Sequence, residues 1–491
     1  MNTDELMMEF YELRERMTRE RHRPRYHFLP PAGRWNDLNG MLYWNGLYHS
    51  GYLQKIANGP GERDFSSQQH ISSRDLLHWR YHPTALREPL AGTKGDYFNT
   101  GAVIRDAEVP TIITNMPRQG ICIYRSFDEN LDTWVGLPEN PVIPIDSEFR
   151  TPSRRYPECV IFDPSGWKEG DAYYALIGNR NFRPGYEGDS TSLFTSENLV
   201  DWEYLGPFYR SSREWTDEVE DCACSDFFPF GERYMLVMHT HRPFAKCQYY
   251  LGRYEDHRFT PEHHGQLSWL GSMVFGPKTL LDDRDRRVFM ATVGEASGSL
   301  DSEWRNVMTL PWHFSPDEAG LPRIDPISEI SSLRYDEISV PDMTLRAGDE
   351  LRVPELDSSC EEVQLTLSPD GAREYGIKLL CSPDGEEQTV VLFDSAAGWV
   401  TIDFDRSSRD RSREYVQAVR RQVVPFTARE LHLDIFVDRS IIEIFVNSRI
   451  VLVQRVYPMR DDSTGFRVFS RDGALRVRSI RKWEMDATNP W

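Results

Sequence analysis

The sequence predicts an all-β protein, a five-bladed β-propeller followed by a C-terminal β-sandwich, with residues 1–25 as an N-terminal helical extension, 26–335 as the propeller and 338–491 as the sandwich. Three observations carry this prediction. Beyond residue 26 the chain consists of short runs of β-branched and aromatic residues broken by Gly, Pro, Asn and Asp, the pattern of many short strands. A strand, a polar turn and an aromatic-rich strand recur as one unit, and repetition of a supersecondary unit is the mark of a radial or stacked architecture. Near the C-terminus the pattern changes to strict alternation, as in a sandwich.

Residues 4–22 place Leu6, Met7, Phe10, Leu13 and Met17 at helical spacing among many charges, so they read as an amphipathic helix. They lack the apolar core of a signal peptide. The repeating unit then appears at Trp35 to Gln54, Asn99 to Asn115, Val160 to Gly178, Asp226 to His239 and Pro277 to Val293. Each repeat supplies several antiparallel strands, which suits the blades of a propeller. A second signal accompanies it. Ser73-Arg74-Asp75-Leu76-Leu77-His78-Trp79 returns as Ser196-Glu197-Asn198-Leu199-Val200-Asp201-Trp202 and, with two extra residues, as Ser126 to Trp134. Past Pro311 comes a polar, Pro-bearing segment, and Leu431 to Val437 with Ile441 to Val446 then read as a half-exposed antiparallel hairpin turning at Asp438-Arg439-Ser440.

Composition narrows the function. A 491-residue chain with 39% hydrophobic and 27% charged residues is ordinary globular material, long enough for two cores. Its formal net charge of −20 repels phosphate backbones and acidic bilayers, so neither nucleic acid nor a membrane is the expected partner, and a small neutral carbohydrate is. Seven Cys without framework spacing indicate a reducing compartment, the cytoplasm. No nucleotide loop stands out, and no cofactor is expected. Cys222, Cys224, His239 and His241 are good zinc-ligand types at the wrong spacing for a finger or ribbon, so no metal is assigned to them. Oligomeric state is left open by the sequence.

The stretch Gly33-Arg34-Trp35-Asn36-Asp37-Leu38-Asn39-Gly40, preceded by His27-Phe28-Leu29-Pro30-Pro31, resembles the opening motif of glycoside hydrolase family 32, the invertases, levanases and inulinases. Leu38 stands where that family usually has Pro. His70 to Trp79, Thr100 to Val103, Thr195 to Trp202, Trp304 to Pro311 and the hairpin ending at Tyr457-Pro458 resemble family segments in the same order. The resemblance implies the same propeller and sandwich.

It also implies a pair of carboxylates, since glycoside cleavage needs one that attacks or stabilises the oxocarbenium-like centre and an acid that protonates the leaving oxygen. Asp37 matches the family nucleophile, although the local sequence alone fits an Asx turn equally well. The family's second acid lies in an Arg-Asp-Pro motif, for which Phe162-Asp163-Pro164 is the counterpart. Asp37 precedes Tyr48, and Asp163 precedes Tyr174, by the same eleven residues. The alternative register at Arg155-Tyr156-Pro157-Glu158 keeps the Arg and loses the Asp. The family's general acid is a Glu directly before Cys-Pro-Asp. Ala223 occupies that position here. Side chains alternate along a strand, which makes Asp221 the first candidate for the donor, with Glu220 second and Asp226 third. Asn36, Gln54, Trp79, Phe98 and Asn99 are the candidate sugar contacts, with Trp79 also suited to anchoring a blade.

The expected function is therefore a retaining β-fructofuranosidase acting on sucrose or fructo-oligosaccharides, with Asp221 or Glu220 about 5–5.5 Å from Asp37. The alternatives are a fructosyltransferase, a hydrolase of another furanoside, and a sugar-binding protein without turnover.

Overall fold

A computed structural model describes residues 8, 11–12, 15–30, 33–56, 65–86, 98–116, 119–148, 151–179, 190–295, 304–411 and 419–489. The protein is a β-propeller joined to a β-sandwich. Most of the predicted N-terminal helix, including Leu6, Met7, Phe10 and Leu13, lies outside the described residues; 15–19 are helical, with Met17 buried.

Among the described residues the first part of the chain forms successive antiparallel units whose opening strands are Gly33–Trp44, Gly101–Arg105, Phe162–Glu169, Ala223–Phe230 and Val274–Leu281. Each of these inner strands pairs with the next strand in sequence, so each recurring strand-turn-strand element forms the first hairpin of a unit. The inner strands are neighbours in a closed cycle. Gly33–Trp44 packs beside Gly101–Arg105 and Val274–Leu281, and Phe162–Glu169 and Ala223–Phe230 complete the circuit. The short strand Trp304–Arg305 runs parallel to Gly33–Arg34 and closes the last unit onto the first.

The repeated Ser-to-Trp motif folds as one device. Asp75 Oδ1 accepts the backbone N–H groups of Leu77 and His78, Asn198 Oδ1 those of Val200 and Asp201, and Asp128 Oδ1 those of Asn130 and Asp132. Each turn forces its leucine into the left-handed region, with φ of 65° at Leu76, 58° at Leu131 and 67° at Leu199. That conformation is unfavourable for a side chain with a Cβ. Burial of all three leucines, to 3% exposure or less, offsets it.

The sandwich packs a seven-stranded sheet on a six-stranded one over an apolar core. The hairpin at Leu431–Asp438 and Ile441–Val446 is not half-exposed as its alternation predicts. All six residues of Ile441–Val446 are buried. Ile442, Ile444 and Val446 enter the sandwich core, while Ile441 and Phe445 pack with propeller residues such as Trp312. Glu443, on that second face, accepts hydrogen bonds from the Leu310 backbone and the Trp312 indole, both at 2.9 Å. Alternation thus marks two buried faces of different polarity.

Candidate functional site

The inner strands share an irregularity that builds the site. The pairing ladder shifts between Trp35 and Leu38, between Phe162 and Pro164, between Ala223 and Asp226, and between Phe275 and Lys278. A bulge leaves residues unpaired and re-aims their side chains. The residues at these breaks include Asp37, Asp163, Cys224 and Gly276, and in the second unit Thr100 directly precedes the inner strand.

Hydrogen bonds join them. The Thr100 hydroxyl donates to Asp37 Oδ2 at 2.9 Å. The Cys224 thiol donates to Asp163 Oδ2 at 3.5 Å and lies 3.9 Å from Thr100 Oγ1. Asp37, Thr100, Cys224 and Asp163 are therefore one connected group drawn from four units. Burial pushes the Cys224 thiol well above its ordinary pKa, and the charges of Asp163 and Asp37 push it further. It is held protonated, as a donor toward Asp163. Gly276 completes the ring with no side chain. Its φ is +61°, and a Cβ there would stand 2.9 Å from Asp37 Oδ1. Glycine keeps the approach to Asp37 open.

The next turn of the first strand fixes this arrangement. Asn39 donates from Nδ2 to the Asn99 carbonyl at 3.1 Å and accepts the Gly101 N–H at 3.0 Å, tying the strand of Asp37 to that of Thr100. Asn36, adjacent to Asp37 at the ladder break, is half-buried, as are Asn99 and Gln54, the latter opposite Trp35. Trp79 and Phe98 are elsewhere. Trp79 packs edge-on against Phe28 in the apolar core, and Phe98 is buried against Tyr124. Both are core anchors, which corrects their candidacy as sugar contacts.

The expected proton donors are also placed differently. Asp221 is fully buried, and its Oδ2 lies 2.7 Å from His241 Nδ1, while Oδ1 accepts the His241 N–H at 2.6 Å and the Thr240 hydroxyl at 3.0 Å. Burial opposes its ionisation, but the bonds from His241 outweigh burial and hold the carboxyl down at about 2. A carboxyl with that pKa is ionised at neutral pH and cannot serve as the protonated acid. Glu220 turns toward the third strand of its own unit, where it forms a buried ion pair with Lys246 Nζ at 2.8 Å and accepts Gln248 Nε2 at 3.0 Å. Asp226, the third candidate, accepts the Thr279 N–H and hydroxyl at 2.9 and 2.7 Å. Ala223 itself pairs with His239, whose ring centroid is 4.5 Å from that of His241.

The depressed pKa of Asp221 gives a stability prediction. Its contribution is present above its ordinary value of 3.8 and is lost as pH falls toward about 2, where the folded-state group also takes up its proton. A shift of this size is worth about 2 kcal/mol. The stability difference between the native protein and Asp221→Asn should therefore shrink by about 2 kcal/mol between roughly pH 5 and pH 2, measured by urea unfolding. A constant difference would contradict the ion-pair assignment.

From sequence Thr100, Cys224, Gly276 and His241 have no catalytic role: Cys224 and His241 stand out only as metal-ligand types, and Thr100 and Gly276 lie in or beside resembling or repeated segments. Only their placement in space gives them one.

Comparison with known proteins bears on the whole chain. The profile of the Glycosyl hydrolases family 32 N-terminal domain matches residues 27–321, and that of the Glycosyl hydrolases family 32 C terminal matches 329–484. A sucrose-6-phosphate hydrolase of Zymomonas mobilis is 26% identical over 507 aligned residues, covering 95% of this chain and 93% of that protein. A fructan 6-exohydrolase of Beta vulgaris is 24% identical, over 94% and 87%. In structure the chain is similar to fructan 1-exohydrolase IIa from Cichorium intybus, also solved in complex with 1-kestose, with a TM-score of 0.81 and 19% identity over 95% of this chain and 98% of that one.

Proposed function

The chain belongs to family 32 of the glycosyl hydrolases, and on that premise we propose that it is a retaining hydrolase of β-fructofuranosides, sucrose or short fructo-oligosaccharides, with Asp37 as the attacking carboxylate. The observation that carries this reading is the connected group Asp37, Thr100, Cys224 and Asp163 at the ladder breaks of the inner strands. The relatives' names and the 1-kestose complex supply the substrate class. We read the antiparallel units as five blades, supported by the cyclic adjacency of their first strands.

In this mechanism an Asp37 oxygen bonds to the anomeric carbon of the fructosyl unit as the bond to the leaving oxygen breaks, and that oxygen takes a proton. Water then cleaves the glycosyl ester, and its proton returns to the donor. Asp163, bonded by the Cys224 thiol and linked through it and Thr100 to Asp37, stabilises the positive charge and binds sugar hydroxyls. Asn36, Gln54 and Asn99 are the further hydroxyl contacts. For the proton donor we assign His241, partly exposed and oriented through Nδ1 by the ionised Asp221. A carboxylate-held imidazole is a recurrent acid and base.

Loss of proton donation penalises poor leaving groups most. His241→Gln is therefore expected to lower sucrose turnover about 10²-fold or more, while cleavage of an aryl fructofuranoside with an acidic phenol changes little. Equal losses on both substrates would sink the donor assignment. One observation favours a second reading. Ala223 stands where the family carries its acid, as it would in a sugar-binding protein without turnover. That reading predicts saturable binding of sucrose or 1-kestose with no release of fructose. We place the protein in the cytoplasm, since its seven Cys are all free and buried, which suits a reducing compartment. No helix of the described residues is long and apolar enough to cross a membrane.

A further inference from the structure

Away from the acids, three imidazoles meet at the junction of the first two units. His49 lies on the strand Leu47–Ile56, His70 on Phe65–Ser73, and His82 just beyond Trp79–Tyr81. The His70 and His82 rings stack with centroids 4.2 Å apart, and His49 stacks on His70 at 5.2 Å. The Ser126 to Trp134 turn of the second unit brings Asp132 against them.

We propose that His70, His82 and Asp132 bind one divalent transition-metal cation, zinc being the first candidate, which clips the first unit to the second. Their ligand atoms all lie within 4.8 Å of one another. His82 Nδ1 is 2.7 Å from Asp132 Oδ1, and His70 Nδ1 is 3.9 Å from the same oxygen. In a tetrahedral zinc site with bonds of 2.0–2.1 Å, neighbouring donor atoms are about 3.3 Å apart. The two distances straddle that value, so small side-chain movements suffice to close the site.

Two features separate this cluster from an ordinary hydrogen-bonded histidine pair. His70 is 5% exposed, and its Nδ1 is buried without a hydrogen-bond partner among the described residues, facing Asp132. A buried polar atom without a partner is destabilising, and a metal bond removes that cost. The other ring nitrogens of His70 and His82 are already engaged. His70 Nε2 is 2.9 Å from His49 Nδ1, and His82 Nε2 is 2.7 Å from the Ser72 hydroxyl. Outer contacts of this kind fix the orientation of metal-bound imidazoles. Both Nδ1 atoms are thereby turned toward Asp132. Two imidazoles and a carboxylate suit zinc, cobalt or nickel better than calcium or magnesium. Asp132 is 35% exposed, so the fourth position opens toward solvent, where water completes the coordination.

The test uses the full-length protein stripped with EDTA, dialysed, and titrated with Co²⁺ under visible spectroscopy and with Zn²⁺ by calorimetry. One equivalent of cobalt should give the intense visible bands of a tetrahedral site, zinc should displace it, and excess zinc should raise the thermal midpoint by a few degrees. His82→Gln and Asp132→Ala should each weaken binding at least tenfold. Asp132 is a partly exposed turn residue, so its variant serves if the His82 variant fails to fold. Binding weaker than millimolar would overturn the site, as would tight binding unchanged in both variants, which would assign the metal to the Cys thiols or other His. The readouts are independent of sugar turnover, so the result stands or falls apart from the proposed hydrolysis.

Discussion

Asp37→Asn is expected to lower sucrose turnover by about 10⁴- to 10⁶-fold, the range seen when members of a covalent catalytic set are removed from other enzymes. The substitution keeps the shape of the side chain. Its carbonyl oxygen can still accept the Thr100 hydroxyl, which donates to Asp37 Oδ2 at 2.9 Å. What is lost is the charged oxygen that, in the proposed mechanism, bonds to the anomeric carbon. Asp37 is only half-buried, so the thermal midpoint should move little, and binding of 1-kestose should persist. A loss in kcat with little change in ligand affinity is thus the expected signature. Loss of less than tenfold would remove Asp37 from the chemistry.

The second large effect is on folding. Asp438→Ala should destabilise the protein by about 3–5 kcal/mol, the cost of breaking a buried charged network by removing one partner. Asp438 is fully buried in the sandwich and accepts the backbone N–H groups of Arg25, Tyr26 and His27 at 2.7, 2.8 and 2.8 Å, together with His27 Nδ1 at 3.0 Å. Truncation leaves these donors unsatisfied in a dry environment. The segment they belong to leads into the strand of Asp37, so the clasp connects the sandwich to the site-bearing unit.

The clasp also sets a pH range. Burial opposes the charge on both groups, but the His27 bond holds the Asp438 carboxyl below its ordinary range, while the bond that His27 makes to Asp438 and the Glu443 carboxylate 3.5 Å from its Nε2 raise His27. The carboxylate contribution is present above pH about 4 and fades as pH falls. That of His27 is fully present below about 6.5 and fades as pH rises past its raised folded value. Urea midpoints of Asp438→Ala and the native protein at neutral pH measure the main effect, and an unchanged midpoint would contradict the clasp.

Much of this architecture was legible in the sequence because it rests on local chemistry. The turn at Ser73 to Trp79 recurs because an Asx side chain capping two backbone N–H groups, followed by a buried leucine, is a local device. The equal spacing of Asp37 from Tyr48 and of Asp163 from Tyr174 is matched in space by ladder breaks at both acids. Alternation failed where tertiary contacts decide. Placing Asp221 on the side of position 223 assumed that both lie on one regular strand, yet the strand begins only at Ala223, and Cys222 before it is held by an isolated bridge to Asn179. The partners that tie up Asp221 and Glu220, namely His241, Lys246 and Gln248, lie 20 or more residues away. The His70, His82 and Asp132 cluster likewise follows no ligand-spacing motif, because its members come from two units.

The proposed glycosyl ester between Asp37 and the fructosyl unit is the decisive intermediate. It is tested most directly by rapid acid quenching of the enzyme during turnover of sucrose or an activated fructofuranoside, followed by mass spectrometry of the digested protein. One fructosyl residue on the peptide containing Asp37, absent in Asp37→Asn, with release of fructose in its original anomeric configuration, is the predicted result. Release of the inverted anomer, or an adduct on another carboxylate, would contradict it.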